Sequence, residues 1–559
     1  MAEAQRTPER DTARLRRSPA TVMRLDRLGS FHPTRLSFLR VLLRRLAREG
    51  WRVDRPRFEL DRRGVGRAVY RARGRGRTYS LVAFAHDLPA ALRSDRVIAT
   101  AWDATFALVD GEPDAADLER LAANVPYQEA GRVGPGELVL ARANRSVRLF
   151  EHVVERLAAG RQPDAGEIEA VGYLMRTTAV YGSGKFGAAD RAAVADRGEL
   201  NAPFQAEMLA VWLIRAFTVD LVEHLARARG GPEATTLAPC LRRRLGVGNS
   251  TGLGMAPFLI RHPILLNNWM LAREEALARV RALATATPRT AAGFDRALAA
   301  AIRRADTWHS RHPLQTTKLA ALRADLARLA ERRAGDDVPS GPYPWDALWR
   351  WGEAALSLEG QEQLVTLLLE PHGDVVDDLA DTMAADEDTG FRIDGAMTPA
   401  ALATLLAEHY AWALDADYDA PEAAARFWYV SEEKLEPRLG ERFEEPGAEH
   451  ELPLDIARAA AALARDLAAW SGEATVAAFL LAHPEHRLMV RRAQLAARFP
   501  YAEIRDNLIA ADLRPIDLLR CKLACFGADK FDPRSDRWLR ICLFQDAPFP
   551  DELAGEAVP

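Results

Sequence analysis

Two glycine-punctuated segments hold the residues best suited to chemistry. In VYGSGKFGAADR, beginning at Val180, Gly182, Gly184 and Gly187 fit G-x-G-x-x-G. Some sixty residues on, LGVGNSTGLGMAPF carries Gly246, Gly248, Gly252 and Gly254. Glycine lets backbone N–H groups approach a ligand, and successive N–H groups form an anion-binding concavity. Hydroxyl, amide and basic side chains crowd both segments. Arg176, Thr177, Tyr181, Ser183 and Lys185 belong to the first, and Asn249, Ser250 and Thr251 to the second. Asn201 and Glu207 lie between them, and Arg261, His262 and Asn268 follow. Such a set suits a small anionic metabolite, a carboxylate or phosphate, held between the two loops. Arg176, Thr177, Ser183, Asn201, Asn249, Ser250, Thr251, Arg261 and Asn268 are the expected substrate contacts. Lys185, Tyr181, Glu207 and His262 are the expected catalytic residues, able to hold charge or move a proton. Helix caps and tight turns would use the same residue types. No cofactor follows from these residues, and the reaction type stays open.

Familiar readings of these motifs fail on context. A dinucleotide fingerprint needs a strand, a glycine turn, a helix and a parallel sheet around them. NAPFQAEMLAVW after the first loop reads as helix, and no parallel sheet can be assembled nearby from the sequence. A phosphate loop is excluded because Lys185 lacks the G-x-x-x-x-G-K-[ST] frame. Gly248-Asn-Ser250-Thr-Gly252 matches G-x-S-x-G, but LAPCLRRRLGV before it is no apolar strand.

Asp377, Asp378 and Asp381 fit D-D-x-x-D, which over five residues resembles the magnesium motif of all-α prenyltransferases and terpene synthases. The resemblance implies magnesium held against a diphosphate, but the second magnesium motif is missing. A solvated acidic face is the preferred reading. His309/His312 and His483/His486 each form H-x-x-H. One pair supplies two ligands and no third is evident, so capping or surface histidines are expected. His86-Asp87 closes a strand, where a turn with an Asp cap accounts for it.

The elements that must position these residues read as mainly helical. At 559 residues the chain exceeds one core, so two or three domains are expected. Residues 1–20 are polar and expected to be loose. Residues 21–150 read as a small α+β domain with an antiparallel sheet built from RAVYRAR, RTYSLVAFA, VIATAWDATFALVDG and GELVLARA. Residues 151–333 read as a helical domain carrying both glycine loops. In it, Phe204, Met208, Val211 and Trp212 share one helix face. AGDDVPSGPYPW from Ala334 is a boundary, and 345–559 reads as a second helical domain. The fold class expected is predominantly α-helical, with a small N-terminal antiparallel sheet before a large helical body.

Charge is unevenly spread. Residues 1–80 hold 22 arginines against eight acidic residues, while the whole chain carries −4. A basic end suits nucleic acid or an acidic surface, which keeps open a non-catalytic binding or scaffold protein. Arginine in place of lysine, with much alanine, also reads as a GC-rich bacterial genome. Four cysteines without zinc spacing, no signal peptide and no uninterrupted apolar stretch point to a cytoplasmic setting without membrane insertion.

Overall fold

The computed structural model describes residues 10–24, 26–31, 33–93, 101–127, 134, 136–177, 194, 196–200, 202–251, 263–308, 313–335, 339–383, 391–415, 417, 430–431, 434–435, 453–471, 475–505, 523–528 and 539–553. The chain divides into two compact units, each built from separate stretches of sequence. One comprises 32–250, 523–534 and 539–559; the other comprises 1–31, 251–522 and 535–538.

The first unit is organised on a sheet. Strands β1 (Arg52–Leu60), β2 (Gly66–Arg73), β3 (Thr78–Ala85), β4 (Ala104–Asp110), β5 (Glu137–Arg145) and β6 (Tyr173–Thr177) run as an antiparallel meander. Strand β7 (Gly246–Thr251) joins β6 in parallel. After the short β8 (Val430–Ser431) and β9 (Lys434–Leu435), which pair only with each other, β10 (Leu539–Leu543) adds to β7 and completes eight strands. The edge strand β1 is charged and largely exposed, and its register shifts between Asp54 and Arg57, around Pro56. Proline and a bulge are tolerated there because one side of an edge strand makes no ladder bonds.

Each face of the sheet has its own helix. Val69, Val82, Phe84, Ala107, Val109 and Leu140 pack on Leu118, Leu121 and Val125, from the Ala115–Asn124 helix and the residue that caps it. On the other face runs the 26-residue helix Gln205–Gly230, whose Phe217 meets the rings of Tyr70 and Phe106 edge-on. This helix also lies on the connection from β6 to β7, so β6, helix and β7 form a β-α-β unit, the arrangement a parallel pair requires.

The sheet therefore differs from the one expected. It is eight-stranded and mixed rather than small and antiparallel, and it is not confined to the N-terminal 150 residues. Three of its strands escape pattern reading for physical reasons. YLMRT in β6 is buried at every position, so it shows no alternation. GVGNST in β7 is half glycine and asparagine, which are poor strand formers. The partner of β10 lies nearly three hundred residues upstream, beyond any local signal.

The second unit is helical. Helices Pro263–Ala282, Pro288–Asp306, Pro313–Arg333, Pro344–Ala355 and Leu358–Leu369 follow one another. Within this unit, Arg17 lies between two buried carboxylates. Its Nε is 2.8 Å from Glu274 Oε2, and its Nη1 is 2.7 Å from Glu362 Oε1. Arg27 and Arg273 also hold Glu362. A second core unites Leu402, Leu406 and Tyr410 with Ala457, Leu463, Phe479 and Val490, from helices Pro399–Leu414, Pro453–Ala469, Val476–Ala482 and Arg487–Arg498. Among the described residues, no helix is long and apolar enough to cross a membrane.

Candidate functional site

The parallel pair β6–β7 forms from the residues just before it. Asp164 caps the helix Ala165–Val171, and Gly172 ends it in the left-handed region at φ 79°. Only glycine takes that conformation without cost. The Gly172 carbonyl then accepts from Gly246 N at 2.8 Å and from Cys542 Sγ at 3.0 Å, setting β7 beside β6 and tying β10, on the far side of β7, to the same point. Tyr173 aligns with Gly246 and Arg176 with Gly248. A Cβ on Gly246 would lie 2.2 Å from the Leu543 carbonyl, and one on Gly248 would lie 2.7 Å from the Tyr173 ring. Two of the four glycines in the second segment are thus required by strand packing. They lie inside β7 rather than in a loop.

A buried arginine holds β7 from its amino end. Arg215 donates from Nε to the Leu245 carbonyl at 2.6 Å, from Nη1 to Ala547 O at 2.8 Å and from Nη2 to Arg243 O at 3.0 Å. Its guanidinium also covers the Phe549 ring. Burial lowers the Arg215 guanidinium to about 9, still a cation at neutral pH. Trp212 Nε1 adds a bond to Pro548 O at 2.9 Å.

Because β6 and β7 are parallel neighbours, the segments after Thr177 and Thr251 leave the sheet at the carboxyl ends of adjacent strands. In sheets with parallel strands, ligands bind at that rim. Polar groups are buried on the strands beside it. Arg176 aligns with Asn144, and Arg142 with Thr105. Arg142 and Asn144 share the face of Leu140, since alternate residues of a strand point the same way. All four are almost fully buried. Asn144 Nδ2 donates to Ala101 O at 3.1 Å, and His86 Nε2 lies 3.1 Å from Thr105 Oγ1. Arg142 lies 4.5 Å over the Trp102 ring. Burial lowers Arg142 to about 10 and lowers His86, so at neutral pH the arginine is charged and the imidazole is neutral. Asp103, fully buried, accepts from Arg145 N at 3.0 Å and Arg93 Nε at 3.2 Å. Arg145 turns to the opposite face over Phe150, and its Nη2 makes no hydrogen bond.

The expected site residues fall in several places. Arg176 and Thr177 end β6, and Asn249, Ser250 and Thr251 end β7, so these five are brought to one rim. Tyr181, Ser183, Lys185, Asn201, Arg261 and His262 lie outside the described residues. Glu207 sits in the first turn of the Gln205–Gly230 helix, fully buried, where desolvation raises its carboxyl to about 7. That helix covers the face opposite Arg142 and Asn144. Asn268 belongs to the helical unit. There its Oδ1 accepts from Asn267 Nδ2 at 3.0 Å, while Asn267 Oδ1 accepts from Tyr501 N. Asp377, Asp378 and Asp381 lie on one 3-10 turn, and both oxygens of Asp378 are 2.8 Å from Arg279 Nη1.

Sequence reading missed Arg142, Asn144 and Thr105. Their signal was present: in ELVLARANR the face that starts with Leu138 and Leu140 turns polar at Arg142 and Asn144. A buried polar run on an apolar face is the informative departure. It also missed the parallel pairing of β6 with β7. The glycine motif after β6 therefore does lie in a β-α-β unit. The motif itself, Gly182 to Gly187, lies outside the described residues, and the helix Gln205–Gly230 follows it before β7.

Comparison with known proteins returns no matching family model, no similar curated protein and no similar solved structure.

Proposed function

We propose that the chain is a cytoplasmic enzyme that binds a small anionic metabolite, carboxylate or phosphate, at the carboxyl rim of β6 and β7. The observation that carries this reading is the parallel pairing of Arg176 with Gly248, from which both glycine-rich segments depart together. Arg176 and Arg142 supply positive charge in a low-dielectric setting, where a charge-assisted hydrogen bond to an anion is strong. Asn144, Thr105 and neutral His86 offer orienting groups nearby. Lys185 and Ser183 are kept in the proposal as expected contacts from the segment that follows β6. Glu207, which burial raises to about 7, keeps its expected role as proton carrier in this proposal, although its helix packs on the face opposite Arg142 and Asn144. Among the described residues, Cys240, Cys525 and Cys542 form no disulfide, which suits a reducing compartment.

The binding-protein alternative drew on the basic N-terminal region. Much of that charge is spent internally. Arg17 holds Glu274 and Glu362, Arg67 holds Glu59 and Glu119, and Arg71 holds Asp54 and Glu112. Fewer arginines remain for nucleic-acid phosphates, so the metabolite reading is preferred.

A thermal-shift screen against phosphorylated metabolites, nucleotides and carboxylates tests the proposal, since a ligand of the folded state raises Tm by mass action. The expected hit shifts the wild type and fails to shift Arg176→Gln and Arg142→Gln, while Lys185→Ala weakens it. A hit unchanged in both arginine variants, or no hit from any anion, overturns the proposal.

A further inference from the structure

The structure assigns a second, separate site. We propose that Asp466, His483, Glu485 and His486 bind one divalent transition-metal ion, with zinc the best fit. Nothing in the anion proposal depends on it.

The four residues converge from two stretches of the chain. Asp466 stands near the end of the Pro453–Ala469 helix. His483 closes the Val476–Ala482 helix, and Pro484–His486 form the 3-10 turn that follows. One ligand atom from each residue lies within 4.8 Å of every other. His486 Nε2 is 2.7 Å from Asp466 Oδ2, and His483 Nδ1 is 3.3 Å from Glu485 Oε1. Tetrahedral zinc, with bonds of roughly 2.0–2.2 Å, separates its ligand atoms by about 3.4 Å. The observed separations bracket that value, so rotamer adjustments of about an ångström close the site. The H-x-x-H pair thus gains Glu485 from inside the motif itself and Asp466 from another helix.

The surroundings hold the imidazoles in place. The Phe479 ring stacks with His483 at 4.9 Å and lies at 11° to the His486 ring at 5.8 Å. Trp470 packs edge-on against both Phe479 and His483. Phe479 belongs to the core that also contains Leu463 and Val490. His486 is buried, while Glu485 is exposed, so the ion has a route in from solvent. Arg465 Nε lies 3.9 Å from Asp466 Oδ1, leaving Oδ2 turned to His486.

The donor set identifies the class of ion. Two imidazoles and two carboxylates suit zinc and neighbouring first-row ions, whereas calcium and magnesium prefer oxygen alone. Four protein donors fill a tetrahedron, which is the structural form of zinc site rather than the open catalytic form. The ion would clip the end of one helix to the start of another across the second core.

The test uses the full chain, freed of metal with a chelator, in a Cys240→Ser background that removes the exposed thiol. Zinc is titrated against a chromophoric chelator, and cobalt(II) is followed by its visible d–d absorption. The expected result is one ion per chain with a tetrahedral cobalt spectrum. Glu485→Gln, at an exposed position that folding tolerates, lowers affinity at least about tenfold, and His483→Ala lowers it further. His309→Ala, in the other H-x-x-H pair, leaves it unchanged. Absence of stoichiometric binding at micromolar zinc overturns the proposal. So does an affinity that is the same in the wild type and in a folded Glu485→Gln, His483→Ala double variant.

Discussion

Arg176 and Gly248 stand side by side on parallel neighbouring strands, although more than seventy residues separate them in the chain. The pairing turns two distant glycine-rich segments into continuations of one sheet rim. It depends on Gly246 and Gly248 having no side chain, because β10 and Tyr173 fill the space a Cβ would need.

Gly248→Ala is therefore expected to lower stability by about 1–3 kcal/mol, the cost of overpacking a filled site. Gly76→Ala is the control, since nothing lies within 4 Å of its Cβ position. Urea denaturation of both variants measures the difference. Equal midpoints for the two would show that β6 and β7 are not packed as described.

Glu207 predicts a pH dependence of stability. Its folded carboxyl is raised to about 7 by desolvation, above the ordinary 4.5. A folded group raised in this way binds its proton more tightly than the unfolded one, so stability falls as pH climbs from 4.5 to 7. The full penalty, up to about 3 kcal/mol, applies above pH 7. Glu207→Gln is expected to be more stable than wild type at pH 8, with the gap closing near pH 4.5. Tm measured across this range checks the sign. If Glu207 also carries a proton in turnover, the same variant loses activity while gaining stability.

In the helical unit, Glu362 meets Arg17, Arg27 and Arg273 in a buried network. Glu362→Gln leaves these guanidiniums short of a carboxylate, and breaking a buried pair costs about 3–5 kcal/mol. Burial shields the network from counterions, so the loss should persist at high salt. Chemical denaturation at low and high salt checks both points. A loss that disappears in salt would place the network at the surface.

Parts of this architecture could be read from local pattern. VYRAR and TYSLVAFA alternate or run apolar between glycine turns, and they are β2 and β3. The helices from Pro263 to Arg333 begin at prolines and repeat every three to four residues. The candidate rim was legible only in its composition, as polar side chains among glycines. Arg142 and Asn144 escaped because ELVLARANR scans as a plain strand, and their burial depends on what covers the sheet.

The sequence by itself determined the residue types available for chemistry, the helical character of much of the chain, and the charge surplus of its first 80 residues. Those properties depend on composition and on periods of two to four residues. Tertiary structure alone decided that β7 lies parallel to β6, that β10 returns to the same sheet, and that Asp466 meets His483 and His486. Each is a contact between residues far apart in the chain. Such contacts are set by which surfaces bury together, and no local period encodes them.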